Sequence, residues 1–261
     1  FLEAFGNAKT TRNNNSSRFG KWLQVVYDDS LSIIGSKNRT FLLEKSRVVH
    51  QAAGEHNFHI FYLLLLGAPE GMRQTLKLGS VELASWKYVQ WEGSDPKINK
   101  FSEHYEELIA SFSSLNFTEA EVQEILQLLA GILHLGNCEY VPLDVHNSEG
   151  SELTQASKHW IASASSLLSV DANEMELWTT KDQTSVQKAG VSSFTRKFLN
   201  VLDAVGARDS AAKAVYSKLF DWLVGRINDV CLPLEMKSRQ KNFIGLLDIF
   251  GFERFTSNGT S

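Results

Sequence analysis

The sequence is short of several things, and each scarcity narrows its class. It has only two cysteines in 261 residues. Cys138 and Cys231 are isolated and lack metal-ligand spacing, which suits a reducing compartment. There is no basic excess: the net charge is −4 and the isoelectric point about 6.0, so no global positive surface draws the chain to nucleic acid. No apolar run is long enough for a membrane, since the longest, Phe58 to Ala68, contains His59 and is about half a span. No signal peptide is visible, no repeat recurs, and no segment is of low complexity. The ends are also bare. The chain opens Phe1-Leu-Glu-Ala-Phe-Gly6 without a methionine or a cap and stops at Asn258-Gly-Thr-Ser261, so it reads as a fragment of something larger. With 43% hydrophobic residues, the expectation is a soluble, cytosolic, mixed α/β chain with ample core.

What is present is concentrated near the end. Phe243 to Leu247 is apolar without polar alternation, the pattern of a strand buried on both faces of a parallel sheet. Asp248 then sits at the strand's carboxyl end, where open α/β sheets place their ligands. Gly251 follows three residues later, and without a Cβ it lets a backbone N–H approach a ligand closely. A carboxylate for Mg²⁺ and a bare amide for a terminal phosphate, joined by a mobile loop, make a nucleotide-state sensor. Asp-x-x-Gly alone arises about once by chance in a chain this long. Asp203-Ala-Val-Gly206 is that chance match, because it runs into a helical pattern without a preceding strand.

At the other end, Phe1 to Thr11 predicts a helix leading into Arg12-Asn-Asn-Asn-Ser-Ser-Arg-Phe-Gly-Lys21. A run of Asn and Ser by itself describes a polar loop. The same groups also suit a nucleotide: one hydroxyl ligates Mg²⁺, a second orients water, and an Asn amide donates to phosphate oxygens. Trp22 to Tyr27 predicts a strand, residues 28–30 a turn, Leu31 to Gly35 a second strand, and Ser36 to Arg39 another turn, a plain antiparallel meander. Gly54 to Tyr62 opens a helix that runs to Leu66 and is stopped by Gly67 and Pro69. His56 and His59 lie on one face of it, but no third ligand is near in sequence, so they read as packed or solvated side chains.

From Glu70 to Val170 the pattern is almost all helical. Thr118-Glu-Ala-Glu121 predicts a capping box. The stripe it opens is Val122, Ile125, Leu126, Leu129, Ile132 and Leu133, closed by Gly136. His134 reads as a buried, hydrogen-bonded core residue, Glu139 to Gly150 as a polar loop, and Asp171-Ala-Asn-Glu174 as a further helix start. Thr179 to Phe198 is polar, β-like and basic, with Lys181, Lys188, Arg196 and Lys197 against Asp182 alone; composition describes a solvated loop. Asn200 to Asn228 predicts a long helix, and Pro233 ends that segment.

The strings Asn13-Asn-Asn-Ser-Ser-Arg-Phe-Gly-Lys21, Leu42-Leu-Glu-Lys-Ser-Arg-Val48, Asn57-Phe-His-Ile-Phe-Tyr62, Ile132-Leu-His-Leu-Gly-Asn137, Leu219-Phe-Asp-Trp-Leu-Val224 and Asp248-Ile-Phe-Gly-Phe-Glu253 resemble, in order, the myosin motor domain. The resemblance spans the whole chain and departs from the family at His56, where the family carries Arg. It implies a partial P-loop NTPase-like mixed sheet (α/β) with a large, mainly helical insertion. Residues 1–50 would be switch I and transducer strands, 51–240 the upper cleft, and 241–261 switch II. It further implies Mg²⁺-dependent ATP hydrolysis coupled to cyclic binding of actin filaments. Light chains or calmodulin would bind only through regions outside this chain, and the location would be the cytoplasmic actin cytoskeleton.

Residue by residue, the resemblance gives Ser17 to Mg²⁺, Ser16 to the γ-phosphate and the attacking water, and Asn13 to phosphate. Asp248 would reach Mg²⁺ through water and Gly251 the γ-phosphate, while Arg18 would pair with Glu253. Lys188, Arg196 and Lys197 belong to an actin-facing loop. Ser193, sixteen residues before Asp209 of Asp209-Ser-Ala-Ala-Lys213, falls where the family carries an acidic or phosphorylatable residue.

One departure bears on activity: the 261 residues hold no Gly-x-x-x-x-Gly-Lys-[Ser/Thr] phosphate cradle. Two readings stand side by side, a piece of a motor ATPase and a stand-alone actin-binding protein without hydrolysis. A GTPase-like switch is disfavoured, since no Asn-Lys-x-Asp string is present.

Overall fold

The computed structural model describes residues 1–79, 83–91, 98–144, 147–188 and 191–249, leaving aside the side chains at 98–99, 144, 147–149, 182–188 and 191–196. The first helix, α1 (Leu2–Gly6), is shorter than expected. Asn7 turns extended, and β1 (Asn7–Ala8) pairs with β2 (Ser16–Ser17), bending the Asn/Ser run into a closed loop.

Next come β3 (Gly20–Tyr27) and β4 (Ile33–Phe41), which pair antiparallel. The turn expected at Ser36–Arg39 is instead mid-strand, opposite Val25 to Trp22. The polar residues there mark an outer edge of the sheet, where a helix side chain takes up the backbone of Asn38. The helix after Asn57 is α2 (His59–Tyr62), which widens into a π-helical turn over Leu63–Gly67. It stops where Gly67 and Pro69 predict. Gly67 is required by a close approach: a Cβ there would lie 2.3 Å from the Phe101 carbonyl oxygen.

The helical stretch contains α3 (Glu70–Thr75), α4 (Ile98–Ser114) and α5 (Glu119–Gly136). The predicted capping box is formed: Glu121 N donates to Thr118 Oγ1 (3.2 Å) and Thr118 N donates to the Glu121 carboxylate (2.8 Å). Ile125, Leu126, Leu129, Ile132 and Leu133 are buried along one stripe. The segment expected to be a polar loop is a hairpin of β5 (Tyr140–Asp144) and β6 (Asn147–Leu153). Its anchor is the buried pair Tyr140 and Leu153, directly opposite each other, which polarity averaged over the segment hides.

α6 (Lys158–Leu168) and α7 (Ala172–Thr180) follow, the latter capped by Asp171 accepting from Asn173 N and Glu174 N. The basic stretch forms a second hairpin, β7 (Lys181–Lys188) with β8 (Val191–Phe198). The long helix α8 (Val201–Cys231) is capped by Asn200, which accepts from Asp203 N at 2.9 Å. Asp203 and Gly206 are helical, as their context predicted. The short α9 (Leu234–Lys237) leads to β9 (Asn242–Asp248).

β9 corrects an expectation. It pairs antiparallel with β3, giving the order β4-β3-β9, rather than entering a parallel sheet. Nor is it buried: Phe243 and Leu247 are 49% and 58% exposed. Its composition is that of a strand covered on both faces, but among the described residues its pairing partner is β3 alone. Gly245 is needed for the indole of Trp22, which a Cβ would meet at 2.1 Å.

A single contiguous core runs from Phe5 to Val224, with α8 threading it. Tyr216 of α8 donates its hydroxyl to Phe5 O at 2.6 Å and stacks on Phe58 at a centroid distance of 5.0 Å. Tyr88 donates to Asp209 Oδ1 (2.5 Å), and Arg208 Nη1 donates to Cys138 O (2.6 Å). Both cysteines are free thiols. Among the described residues, no helix is long and apolar enough to cross a membrane.

Candidate functional site

The Asn/Ser loop is shaped by its own side chains. Asn13 N donates to Thr10 Oγ1 (3.1 Å), Thr10 N to Asn13 O (2.8 Å), and Asn15 N to Asn13 Oδ1 (2.9 Å). These are the local bonds by which Asn and Thr hold turns in place of a helix or ladder. With the Asn13 side-chain oxygen engaged internally, its NH₂ group is what it offers outward. Asn13 and Ser17 are exposed and Ser16 is half-buried.

Asn15 is pinned from behind. Its Oδ1 accepts from Asn7 Nδ2 (3.1 Å) and lies 3.0 Å from His59 Nε2, while its Nδ2 donates to Glu3 Oε2 (2.9 Å). Burial holds the His59 imidazole below its usual pKa. Neither Asn7 nor Glu3 was among the candidate site residues read from the sequence. His59 was considered there, but as a packed or solvated ring rather than a strut for the loop. His56, also considered there, stacks on Tyr62 and Trp91. Asn14 and Asn15 also wall a cavity of about 470 Å³ with Phe1, Leu63 and Phe101, which none of Asn13, Ser16, Ser17 or Arg18 lines.

Among the described residues, Arg18 ties the loop to Glu44 by charge. Its Nε donates to Glu44 Oε2 at 2.6 Å and its Nη1 to Ser16 Oγ at 3.2 Å. Glu44 also accepts from Arg47 Nε (2.7 Å), and Arg47, 4% exposed, extends to Glu55 Oε2 (2.8 Å) and His56 O (2.9 Å). Burial pulls the Glu44 pKa upward most strongly, but the hydrogen bonds and charges of Arg18 and Arg47 together hold it below the ordinary range. Glu44 was missed by sequence reasoning: nothing in the spacing ties it to a residue 26 positions away.

Asp248 ends β9. In the β3–β9 register it stands opposite Lys21, three residues beyond Arg18. The two strings at opposite ends of the chain therefore meet side by side. Gly251 and Glu253 lie outside the described residues. Lys188, Ser193 and Arg196 lie on the β7–β8 hairpin, with their side chains outside the described ones; in the register Ser193 pairs with Val186 and Arg196 with Gln183. Lys197 is exposed, and Lys181 Nζ sits 4.4 Å from the Phe198 ring centroid. Among the described residues, no cluster of three His, Cys, Asp or Glu side chains is placed to hold a metal.

Comparison with known proteins adds a second line. The sequence matches the Myosin head (motor domain) family over residues 1–260. It is 39% identical to Myosin-2 of Lachancea kluyveri over 98% of this chain and 16% of that relative. It is 41% identical to Myosin-4 of Saccharomyces cerevisiae over 98% of this chain and 17% of that relative. Against Unconventional myosin IC of Drosophila melanogaster it is 40% identical over 98% of this chain and 24% of the relative. The chain thus spans between a sixth and a quarter of the length of these three relatives. With the family model matched over residues 1–260 and relatives of about 40% identity covering 98% of the chain, the chain belongs to the myosin head (motor domain) family.

Proposed function

We propose that this chain is the switch-bearing part of an actin-based motor that couples Mg-ATP hydrolysis to cyclic binding of actin filaments. The observation that carries this is the β3–β9 register, which sets Asp248 opposite Lys21, just beyond the Asn13–Arg18 loop. In this reading residues 1–50 supply switch I and the transducer strands of a P-loop NTPase-like sheet. Residues 51–240 form the upper cleft, residues 241–261 supply switch II, and the β7–β8 hairpin faces filaments of the cytoplasmic actin cytoskeleton.

The donors fit the groups assigned to them. Ser17 and Asp248 offer hard oxygen atoms of the kind Mg²⁺ takes, and when bound the ion would neutralise charge on the phosphates. The chain's own contributions follow from its hydrogen bonds. Asn13 directs its amide donors outward, because its oxygen is held by Asn15 N. Ser16 accepts from Arg18, which leaves its own proton to donate. Gly251 and Glu253, outside the described residues, are assigned by the family resemblance alone, as a backbone donor to the γ-phosphate and a partner for Arg18.

The test is turnover by a motor domain that joins this segment to a phosphate cradle. Ser17→Ala and Asp248→Ala are each expected to lower Mg-ATP turnover by about 10²- to 10³-fold; unchanged turnover in both would overturn the reading. The 261-residue chain alone is expected to be inactive, since the cradle supplies most donors that position the triphosphate. The alternative reading, an actin-binding protein without hydrolysis, gives a different outcome in a filament assay. That protein would co-sediment with filaments whether or not ATP is present, whereas the motor would be released by ATP.

A further inference from the structure

Glu44 belongs to neither switch string, yet it is tied to switch I twice. Its backbone N donates to Arg18 O at 2.9 Å, and its carboxylate takes Arg18 Nε at 2.6 Å. On the core side the same carboxylate is gripped by Arg47, through Nε at 2.7 Å and Nη2 at 3.4 Å. Arg47 is itself fixed by Glu55 and by the carbonyl of His56. Glu44 is thus a rigid acceptor presented to Arg18 from a buried, fully partnered base, and charge-assisted bonds of this kind are the stronger and more directional ones.

The consequence falls on Ser16. A guanidinium only donates, whereas a serine hydroxyl has one proton and two lone pairs. Arg18 Nη1, 3.2 Å from Ser16 Oγ, therefore occupies a lone pair and leaves the serine proton to point elsewhere. With its Nε on Glu44, Arg18 cannot swing its Nη1 away from Ser16 without breaking the ion pair.

We propose that Glu44 is a positioning residue for Ser16: by fixing Arg18 it holds a donor on the serine oxygen and turns the serine O–H outward toward an incoming phosphate oxygen or water. This rests on the reading of Ser16 as phosphate-facing, although the Glu44–Arg18–Ser16 chain is independent of it. Glu44 touches neither nucleotide nor water in this scheme. It sets which way another group's proton faces, so its loss acts on the chemical step more than on binding.

Two measurements test this. In a motor domain with its phosphate cradle, Glu44→Gln is expected to lower kcat by about 10- to 100-fold while KM for ATP moves by less than about threefold. Glu44→Asp, which keeps the charge, is expected to recover part of the loss. Combining Glu44→Gln with Ser16→Ala is expected to add nothing beyond Ser16→Ala alone. A purely structural Glu44 would give additive losses, a rise in KM and no rescue by Asp, and that pattern overturns the proposal.

The second measurement needs no activity. In the 261-residue chain, NMR of the Arg18 Nε–H group is expected to show a slowly exchanging proton that disappears in Glu44→Gln and survives in Glu55→Gln, with Ser16 shifts changing only in the former. If those signals are indifferent to Glu44, the positioning chain fails. If they respond while the motor domain is insensitive to Ser17→Ala, the positioning chain holds and the hydrolytic reading is the one that fails.

Discussion

The side chain of Asn228 clasps the backbone of Asn38 from both sides. Its Oδ1 accepts from Asn38 N at 2.7 Å and its Nδ2 donates to Asn38 O at 2.8 Å. A carboxamide near the end of α8 thus replaces a neighbouring strand at the outer edge of β4, linking the long helix to the β4-β3-β9 sheet. Asn228→Ala leaves a backbone donor and acceptor of β4 without that partner and is expected to cost about 1–3 kcal/mol. Urea unfolding of the 261-residue chain measures it as a lower midpoint at unchanged slope. Asn228→Asp, which keeps only the acceptor, is expected to fall between.

Acid should weaken the fold through two buried histidines. Burial depresses the His56 pKa to about 4, helped by the nearby Lys9 and His59. Burial does the same for His134, to about 4, with Lys77 and His159 lowering it further against a bond to Leu76 O. Both pKa values are lower folded than unfolded, so the unfolded chain binds protons first as pH falls. Stability is therefore full above the ordinary histidine range and declines from about pH 6.5 toward 4, each ring contributing up to about 1.4 kcal/mol per pH unit. His56→Phe keeps a ring against Tyr62 and Trp91 and is expected to flatten that slope. An unaltered slope removes His56 from the effect.

The ion pair proposed between the switches is open to a charge exchange. In the complete motor, Arg18→Glu is expected to block hydrolysis, because it puts a second carboxylate beside Glu44 and repels Glu253. Adding Glu253→Arg should restore part of the rate by returning the attraction with reversed polarity. Recovery should stay partial, since the Arg18–Glu44 bond at 2.6 Å is not rebuilt. A double variant no faster than Arg18→Glu takes the pair out of the mechanism.

Regulation is expected at Ser193. Phosphate would add about −1.5 to −2 charge to β8, the strand that also carries Arg196 and Lys197, and so would change how that strand's basic groups meet a filament. Ser193→Glu is expected to raise actin-activated ATPase in the intact motor, and Ser193→Ala to hold it at the unphosphorylated level. Identical responses to actin in both variants mean the serine has no switching role.

Much of this was legible in the sequence where local chemistry decides structure. The Thr118–Glu121 box, the Asp171 cap, the apolar stripe of α5, the stop at Gly67 and the long helix α8 all depend on neighbours within a few residues. The failures came where distant partners decide. The polar Ser36–Arg39 stretch looked like a turn, but Asn228 satisfies that edge from 190 residues away. Tyr140 needed Leu153 before its segment became a hairpin. The apolar pattern of β9 signalled strand correctly but gave neither its direction nor its exposure, because those depend on what pairs with it. At the site, residue types marked Asn13, Ser16, Ser17 and Arg18. The roles of Glu44, Glu3 and Asn7 were not legible, since they arise only once the loop has folded back on α1 and β4.

The central place of β3 also bears on how the chain is made. Its first neighbour, β4, follows within a few residues, while its second, β9, begins at Asn242, more than two hundred residues later. At translation rates of about 5–20 residues per second, that gap corresponds to roughly 10–40 s. Among the described strands, β3 has only β4 to pair with throughout that interval, and a two-stranded hairpin is marginal alone. The helices from α2 to α8 emerge in the same interval, so the helical core has time to form first and hold β3 and β4 ready. β9 would then dock onto a hairpin already held in place by that core, in an order set by chain connectivity.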